Sequence, residues 1–287
     1  MTASTTPRVF LAATGQNRGK TTTSLGLAAA IRDRGLRLGF VKPVGQRYLV
    51  VDGTRADEDA VLMSEVFELP DALNDMSPVT LPRGFTSDYI MGRITEDLDA
   101  QVLSAFERVA DDKDLVVIEG TGHAGVGAVV GLSNARVAAM LGAPVIIVSE
   151  GGVGRPIDEI VLNLALFAAH GVEVIGAVVN KVDVQSHPHL PGVLARGLEQ
   201  HDVELLGCIP YSEFLANPSL EKTHAADTQK IATIIELVGG ALDVDSLLTR
   251  LGATGHVAET RGEAGRGHPP ASHAPSAMTG PEAESPR

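Results

Sequence analysis

The 287-residue sequence is acidic, with a formal net charge of -13 at pH 7. Nucleic-acid backbones are bound through an excess of Lys and Arg, so this charge argues against a nucleic-acid partner. Apolar residues make up 44% of the chain but aromatic residues only 3%, which favours a core of Ala, Val, Leu and Ile between helices and a parallel sheet. The length allows one large α/β domain or two small ones.

The compartment is predicted from cysteine content and hydrophobic runs. Cys208 is the only cysteine, so no internal disulfide can form, and its apolar neighbours predict a buried thiol. Residues 1–8 are polar and too short to hold the apolar region of a signal peptide. No apolar run approaches the ~20 residues of a membrane span. We expect a cytoplasmic protein with no membrane partner.

The first strand-to-helix connection has the pattern of a phosphate-binding loop. An apolar run at residues 9–12 predicts a strand, and residues 24–31 have helical spacing. In such a loop backbone N–H groups surround phosphate oxygens, Lys20 reaches the outer phosphates and Thr21 ligates magnesium. Thr14 stands where the first glycine of the usual pattern is expected; the alternative is a Gly-Lys-Thr tripeptide in an ordinary turn. The loop residues predicted to bind a nucleotide are Gly15, Gln16, Asn17, Arg18, Gly19, Lys20, Thr21 and Thr22.

The rest of the chain alternates between predicted strands and helices. This order predicts an α/β fold whose mostly parallel central sheet is covered by helices on both faces. Strands are predicted at 38–43, 115–119, 144–148, 172–179 and 203–209; helices at 55–67, 91–111, 133–141, 156–170 and 194–200, with a helical pair in 231–251; and a loop at 69–89. Hardly any apolar residue occurs from 253 onward, so we predict a single domain at 1–252 and a disordered tail at 253–287.

Polar residues at predicted strand ends are candidates for the site. Lys42 ends the second strand, where open α/β sheets bind ligands, although a solvated lysine is the alternative. Glu119 ends a buried strand, and an acid there commonly faces the magnesium of a bound nucleotide. Asp59 lies in the first turn of a predicted helix, which its charge also suits. His123, in a glycine-rich loop, is either a proton shuttle or simply solvated.

Several segments, taken in order, resemble the dethiobiotin synthetase-like group of P-loop enzymes. They are residues 14–22, 41–44, 59–62, 118–122, 178–181 and 207–211, and residues 42–46 and 119–127 are most similar to the N-terminal domain of long phosphotransacetylases. The resemblance implies a P-loop NTPase fold that binds ATP and Mg2+, with Thr21, Asp59 and Glu119 around the metal. It implies that Lys20 and Lys42 are the catalytic residues, with Lys42 beside the acceptor group. It further implies that Asn180 reads the adenine edge with Pro210 near the base, and that the chain forms a homodimer.

The sequence also departs from that group. Gly45 and Gln46 replace the small hydroxyl residue that follows the Lys-Pro segment of dethiobiotin synthetase, and residues 81–86 lack its substrate-loop pattern. We therefore carry over the nucleotide half of the site but not the diamine-substrate half. The sequence shows neither a phosphotransacetylase catalytic domain nor a glutaminase domain, so acyl transfer to coenzyme A and ammonia release are not expected.

Three functions are compatible with these features. The favoured one is an enzyme that uses Mg-ATP to phosphorylate a carboxylate or carbamate of a small, unidentified acceptor. The second is a regulatory module whose nucleotide state alters a partner or an oligomer. The third, a partition-type ATPase, is disfavoured because the loop lacks the additional lysine of that class and the chain is acidic.

Overall fold

Strands and helices alternate along the chain, as the sequence predicts. The structure, a computed structural model, describes residues 4–216 and 228–253. Its strands are β1 (Arg8–Ala13), β2 (Leu38–Val41), β3 (Val44–Gly45), β4 (Tyr48–Val51), β5 (Thr54–Asp57), β6 (Val79–Thr80), β7 (Leu115–Glu119), β8 (Val145–Glu150), β9 (Val174–Val182) and β10 (Leu205–Pro210). Its helices are α1 (Lys20–Asp33), α2 (Glu58–Phe67), α3 (Leu73–Met76), α4 (Phe85–Ile90), α5 (Leu98–Ala110), α6 (Asn134–Met140), α7 (Gly154–Ala169), α8 (Leu190–Glu199), α9 (Glu213–Ala216), α10 (Thr228–Ala241) and α11 (Val244–Leu251), with a 3-10 turn at Ala128–Val130.

Six of these strands form one parallel sheet in the order β10-β9-β8-β1-β7-β2. The side chains of β7 and of most of β1 and β8 are fully or almost fully buried, as expected for strands covered on both faces. The predicted α/β fold with a mostly parallel sheet is therefore confirmed. The predicted tail lies outside the described residues, apart from Ala253.

The strand order fixes the side of the sheet on which each helix lies. The chain moves from β1 to the edge strand β2 and then runs back through β7, β8, β9 and β10. Right-handed crossovers then place α1 on one face and α5 to α8 on the other. Helices α10 and α11 pack against α1, so that both faces are covered. Among the described residues, no helix combines the length and hydropathy needed to cross a bilayer.

Two predicted helices begin later than the sequence pattern indicated. The predicted helix at 55–67 begins at Glu58, because residues 48–57 form an antiparallel hairpin, β4–β5. The predicted helix at 91–111 begins at Leu98, where Asp97 caps it by accepting a hydrogen bond from the Ala100 amide at 3.0 Å. The predicted loop at 69–89 contains three short elements: α3, β6 and most of α4.

Close contact between α1 and α10 depends on a glycine. A Cβ atom at Gly26 would lie 2.2 Å from the Cβ of Val238, which is fully buried on α10. Only a residue without a side chain allows the two helices to approach this closely. Since α1 follows the predicted phosphate loop, this packing also holds the helix in place behind the loop.

We predict that Gly26→Ala lowers the free energy of unfolding by about 1–3 kcal/mol, because the added methyl group overpacks the α1–α10 contact. Gly239→Ala is the matched control. Gly239 lies on α10, and an added methyl group there would meet no atom of the described residues within 4 Å, so this variant should gain about 0.5–1 kcal/mol from the better helix former. Urea denaturation of both variants measures the difference. Equal effects of the two substitutions would contradict the close packing at Gly26.

Candidate functional site

The loop between β1 and α1 has the backbone form that binding of a phosphate requires. Gly19 precedes the first helical residue, Lys20, and has a φ of 100°, a conformation that favours glycine. A Cβ atom at Gly19 would lie 1.9 Å from Nδ2 of Asn180, so no larger residue fits there. The helix that begins at Lys20 adds unpaired N–H groups and the positive end of its dipole. The loop therefore presents donors and partial positive charge to an anion.

A cleft of about 790 Å³ lies above this loop, at the carboxyl ends of the parallel strands. Strands β1 and β8 are neighbours, and the connections that follow them run in opposite directions, which is where open α/β sheets bind ligands. The predicted site residues that line the cleft are Gln16, Asn17, Gly19, Lys20, Thr21, Thr22, Lys42, Asp59, Glu119, Asn180 and Pro210. Gly15 and Arg18, which were also predicted to contact the nucleotide, do not line it.

Lys20 is a buried cation without a partner among the described residues. The residue is only 9% exposed, and its ammonium group forms no hydrogen bond or ion pair within that part of the chain. Burial lowers the pKa of Lys20, although the carboxylate of Glu119 acts in the opposite direction. An ammonium group that is partly desolvated and unpaired is costly, so this position favours binding of an anion.

Lys42, in contrast, pairs with two carboxylates. Its Nζ donates to Oδ2 of Asp59 at 2.5 Å and to Oε1 of Glu119 at 2.9 Å. The hydroxyl of Thr21 lies 3.0 Å from Oδ1 of Asp59 and 3.2 Å from Oε1 of Glu119. Ser24 donates to the other oxygen of Glu119 at 2.6 Å. The solvated-lysine interpretation of Lys42 is therefore wrong, because its side chain is buried in an ion-paired cluster.

The cluster also determines the protonation of its members. Burial alone would lower the pKa of Lys42, but the charges of Glu119 and Asp59 outweigh burial and raise it, so Lys42 is a cation. Burial raises the pKa of Glu119, which is fully buried, despite the nearby Lys42. Burial would raise the pKa of Asp59 as well, but the charge and hydrogen bond of Lys42 lower it. Burial raises the pKa of Asp57, the N-cap of α2, to about 6.

The donor atoms around Thr21 fit a magnesium ion. Two carboxylates, from Asp59 and Glu119, and one hydroxyl converge within hydrogen-bond distance. Mg2+ prefers oxygen ligands, and in nucleotide enzymes it is held by one or two carboxylates together with substrate phosphates and water.

The other end of the cleft lies at β9 and β10. Asn180, near the end of β9, donates from Nδ2 to the backbone carbonyl of Arg18 at 3.2 Å and so ties this strand to the loop. Pro210, the last residue of β10, lines the cleft together with Ile209 and Tyr211. This end is therefore more apolar than the end that holds the charged cluster.

Two acidic residues near the loop were missed from the sequence. The guanidinium of Arg18 points to Glu150, at the end of β8, and to Glu159 on α7. Glu150 could have been found, because it ends a buried strand as Glu119 does. Glu159 had no such signal, since it is one of several polar residues on a helix.

Two residues that the sequence singled out do not take part in the cleft. His123 is exposed, does not line the cleft, and its Nδ1 accepts a hydrogen bond from the amide of Gly125 in its own loop at 3.2 Å. Cys208, predicted to be buried, is only partly buried on β10, and this burial raises its thiol pKa to about 11. The thiol is therefore neutral at physiological pH.

We predict unequal contributions to stability for the two lysines. Lys42→Ala leaves two buried carboxylates without their cation and should lower the free energy of unfolding at pH 7 by about 3–5 kcal/mol. Lys20→Ala removes a cation that pairs with none of the described residues, so its loss should stay below about 1 kcal/mol. Urea denaturation in a magnesium- and nucleotide-free buffer measures both. Similar losses for the two variants would show that Lys42 does not hold the cluster together.

Comparison with known proteins places this site in a family. Residues 7–219 match the profile of the AAA domain family AAA_26. The chain is 32% identical to an ATP-dependent dethiobiotin synthetase of Parafrankia sp., over 70% of this chain and 80% of that protein. It is 31% identical to a phosphate acetyltransferase of Pseudomonas aeruginosa, over 79% of this chain, and it spans only about a third of the length of the phosphate acetyltransferases that it matches. A solved structure of the MinD cell division protein of Aquifex aeolicus shares the fold, with 13% identity, a TM-score of 0.50, and coverage of 85% of this chain and 97% of that one. The chain therefore belongs to the AAA_26 family of dethiobiotin synthetase-like P-loop NTPases.

Proposed function

We propose that the protein binds Mg-ATP in this cleft and transfers the γ-phosphoryl group to a carboxylate or carbamate. The observation that carries the proposal is the largely buried residue Lys20, whose ammonium group is unpaired within the described chain and which directly follows a loop of phosphate-binding form. The triphosphate supplies the negative charge that this position lacks, and the N–H groups at the start of α1 add donors to its oxygens.

The nucleotide is oriented by the two different ends of the cleft. The base lies at the β9–β10 end, between Asn180 and Pro210, and the triphosphate runs toward Lys20 and the acidic cluster. Nδ2 of Asn180 uses one of its two N–H groups for the carbonyl of Arg18, and its Oδ1 stays available to accept a hydrogen bond. The exocyclic amine of adenine is a donor that suits this acceptor.

Magnesium is held by the side chains of Thr21, Asp59 and Glu119. When bound, the ion neutralises charge on the phosphate oxygens and helps to orient them. Lys42 keeps the two carboxylates in place. Its ammonium group has three N–H donors, of which Asp59 and Glu119 use two, so one remains for a ligand in the cleft.

The transfer itself requires neutralisation of charge. A carboxylate or carbamate oxygen of the acceptor attacks the γ-phosphorus, the bond to the bridging oxygen breaks, and ADP leaves. A second nucleophile then attacks the carbonyl carbon of the mixed anhydride, and inorganic phosphate leaves. Lys20 and Lys42 stabilise negative charge on the phosphoryl group during the transfer.

The acceptor binds at the β2–β7 end of the cleft. Gln46, Arg47 and Thr121 line that end, next to Lys42. The hydroxyl of Thr121 donates to the carbonyl of Val44, and Nε of Arg47 pairs with Glu58 at 2.6 Å. The amide of Gln46 and the other N–H groups of Arg47 suit a polar, anionic acceptor. The homodimer and the cytoplasmic location implied by the sequence stay predictions.

A second candidate function is a regulatory nucleotide-binding module. It is favoured by the match to about a third of the phosphate acetyltransferase of Pseudomonas aeruginosa, a protein in which this region accompanies further sequence. Such a module would bind the nucleotide without turning over an acceptor.

The nucleotide assignment predicts that Lys20→Ala weakens binding of Mg-ATP at least ~100-fold, because it removes the cation placed for the outer phosphates. Isothermal titration calorimetry measures the Kd, with ATP and GTP as alternative ligands. Lys113→Ala, a lysine paired with Asp71 and outside the cleft, is the control and should bind as the wild type does. Unchanged affinity of Lys20→Ala would overturn the assignment.

The enzymatic assignment predicts formation of ADP that depends on an added acceptor. The measurement is ADP release from Mg-ATP in the presence of bicarbonate and a panel of amines and carboxylates, with Lys42→Ala as the inactive comparison. Acceptor-dependent turnover lost in Lys42→Ala supports the ligase-type reaction. Tight binding of ATP without turnover on any acceptor would instead favour the regulatory module.

A further inference from the structure

One side chain on α7 holds both ends of the phosphate loop. The carboxylate of Glu159 accepts a hydrogen bond from the Thr14 hydroxyl at 2.8 Å through Oε2. Its other oxygen, Oε1, accepts from Nη2 of Arg18 at 3.3 Å. Thr14 begins the loop and Arg18 immediately precedes Gly19, so Glu159 bridges the whole curved segment.

Arg18 is held from several sides and does not line the cleft. Its guanidinium also pairs with Glu150, and its Nε is buried without a hydrogen bond to any described residue. Its backbone carbonyl accepts the hydrogen bond from Asn180. The side chain of Arg18 is 20% exposed and that of Glu159 is 25% exposed, so both charges are sheltered from solvent. Their interaction is therefore screened less than that of a surface pair.

The contact at Thr14 gives a reason for the unusual loop sequence. Thr14 stands where the usual pattern has glycine, and a glycine has no hydroxyl to donate to Glu159. The same hydroxyl lies 3.1 Å from Oγ of Ser149 on β8, and the Thr14 amide donates to the carbonyl of Val148 at 2.9 Å. The start of the loop is thus fixed by side-chain contacts that the usual loop cannot make.

We propose that Glu159 is a positioning residue for the nucleotide site, which acts by fixing the shape of the phosphate loop through Thr14 and Arg18. The inference rests on the proposed function, because the affinity for Mg-ATP is its readout. The N–H groups of the loop must converge on phosphate oxygens. A loop without the contacts to Glu159 binds the nucleotide more weakly, because it must be ordered when the nucleotide binds.

Electrostatics alone predicts the opposite change in the affinity for Mg-ATP when Glu159 is removed, which makes the proposal testable. Glu159 is an anion close to the loop where the triphosphate would bind, and among the described residues its compensating cations are Arg18 and Arg155, at 3.3 and 3.6 Å. Removal of an anion near a phosphate site strengthens binding if charge is all that matters. Weaker binding after removal of Glu159 therefore reports loop geometry.

The experiment measures the Kd of Mg-ATP by isothermal titration calorimetry for single and double variants of the full chain. Glu159→Ala and Thr14→Val should each raise the Kd roughly tenfold or more, as expected for loss of a hydrogen bond to a charged group. The Kd of the double variant should be no more than about twofold above the higher of the two single-variant Kd values, because both substitutions break the same contact. Glu159→Gln and Thr14→Ser, which keep an acceptor and a donor, should bind within about threefold of the wild type.

Asp158→Ala is the matched control. Asp158 is the exposed neighbour of Glu159 on α7 and forms no ion pair or hydrogen bond with other residues that the structure describes. Its replacement therefore removes the same charge but leaves the contacts of Glu159 with Thr14 and Arg18 intact. Thermal denaturation of every variant checks that the fold is retained. A Kd of Glu159→Ala equal to or lower than that of Asp158→Ala would overturn the proposal, as would multiplicative effects of Glu159→Ala and Thr14→Val. If the wild type itself binds no nucleotide, the proposed function fails instead.

Discussion

The site depends on how buried charges are accommodated at one edge of a parallel sheet. Glu119 is fully buried at the end of β7, and its neighbours in the sheet are β1 and β2. The register pairs Leu11 with Glu119 and Val41 with Ile118, so Lys42 lies level with Glu119 and the phosphate loop begins just beyond it. The parallel register therefore brings the anion and its cation together without any further structure. An unpaired carboxylate at this depth would be strongly destabilising.

This pairing leaves a second lysine, Lys20, without a carboxylate partner in the part of the chain that the structure describes. Lys42 forms ion pairs with both Glu119 and Asp59, whereas Lys20, buried at the start of α1, forms no ion pair with the described residues. The two lysines thus have different roles although they lie in one cleft. Lys42 completes the protein's own charge balance, whereas we propose that the phosphates of a nucleotide complete the balance at Lys20. That division is the physical basis for the proposed nucleotide site.

Most of the fold and much of the site could be predicted from the sequence, for a simple physical reason. Buried strands read as continuous apolar runs, and the carboxyl ends of parallel strands meet at one edge, so Lys42, Glu119 and Asn180 could be placed together from the sequence alone. The β4–β5 hairpin was missed, although Asp52 and Gly53 are a strong turn signal, because the acidic residues after it favoured a helix. Glu159 could not be predicted, since a contact between a helix surface and Thr14, far away in the chain, leaves no local pattern.

The central claim is that the loop from Thr14 to Thr21 holds the phosphates of a nucleotide, with Lys20 as their cation. The most direct measurement is a crystal structure of the protein with Mg2+ and a non-hydrolysable ATP analogue. The account predicts that the triphosphate lies along the loop, with Nζ of Lys20 within hydrogen-bond distance of its outer phosphate oxygens and the base beside Asn180 and Pro210. A nucleotide bound elsewhere on the protein, with Lys20 still unpaired, would contradict it.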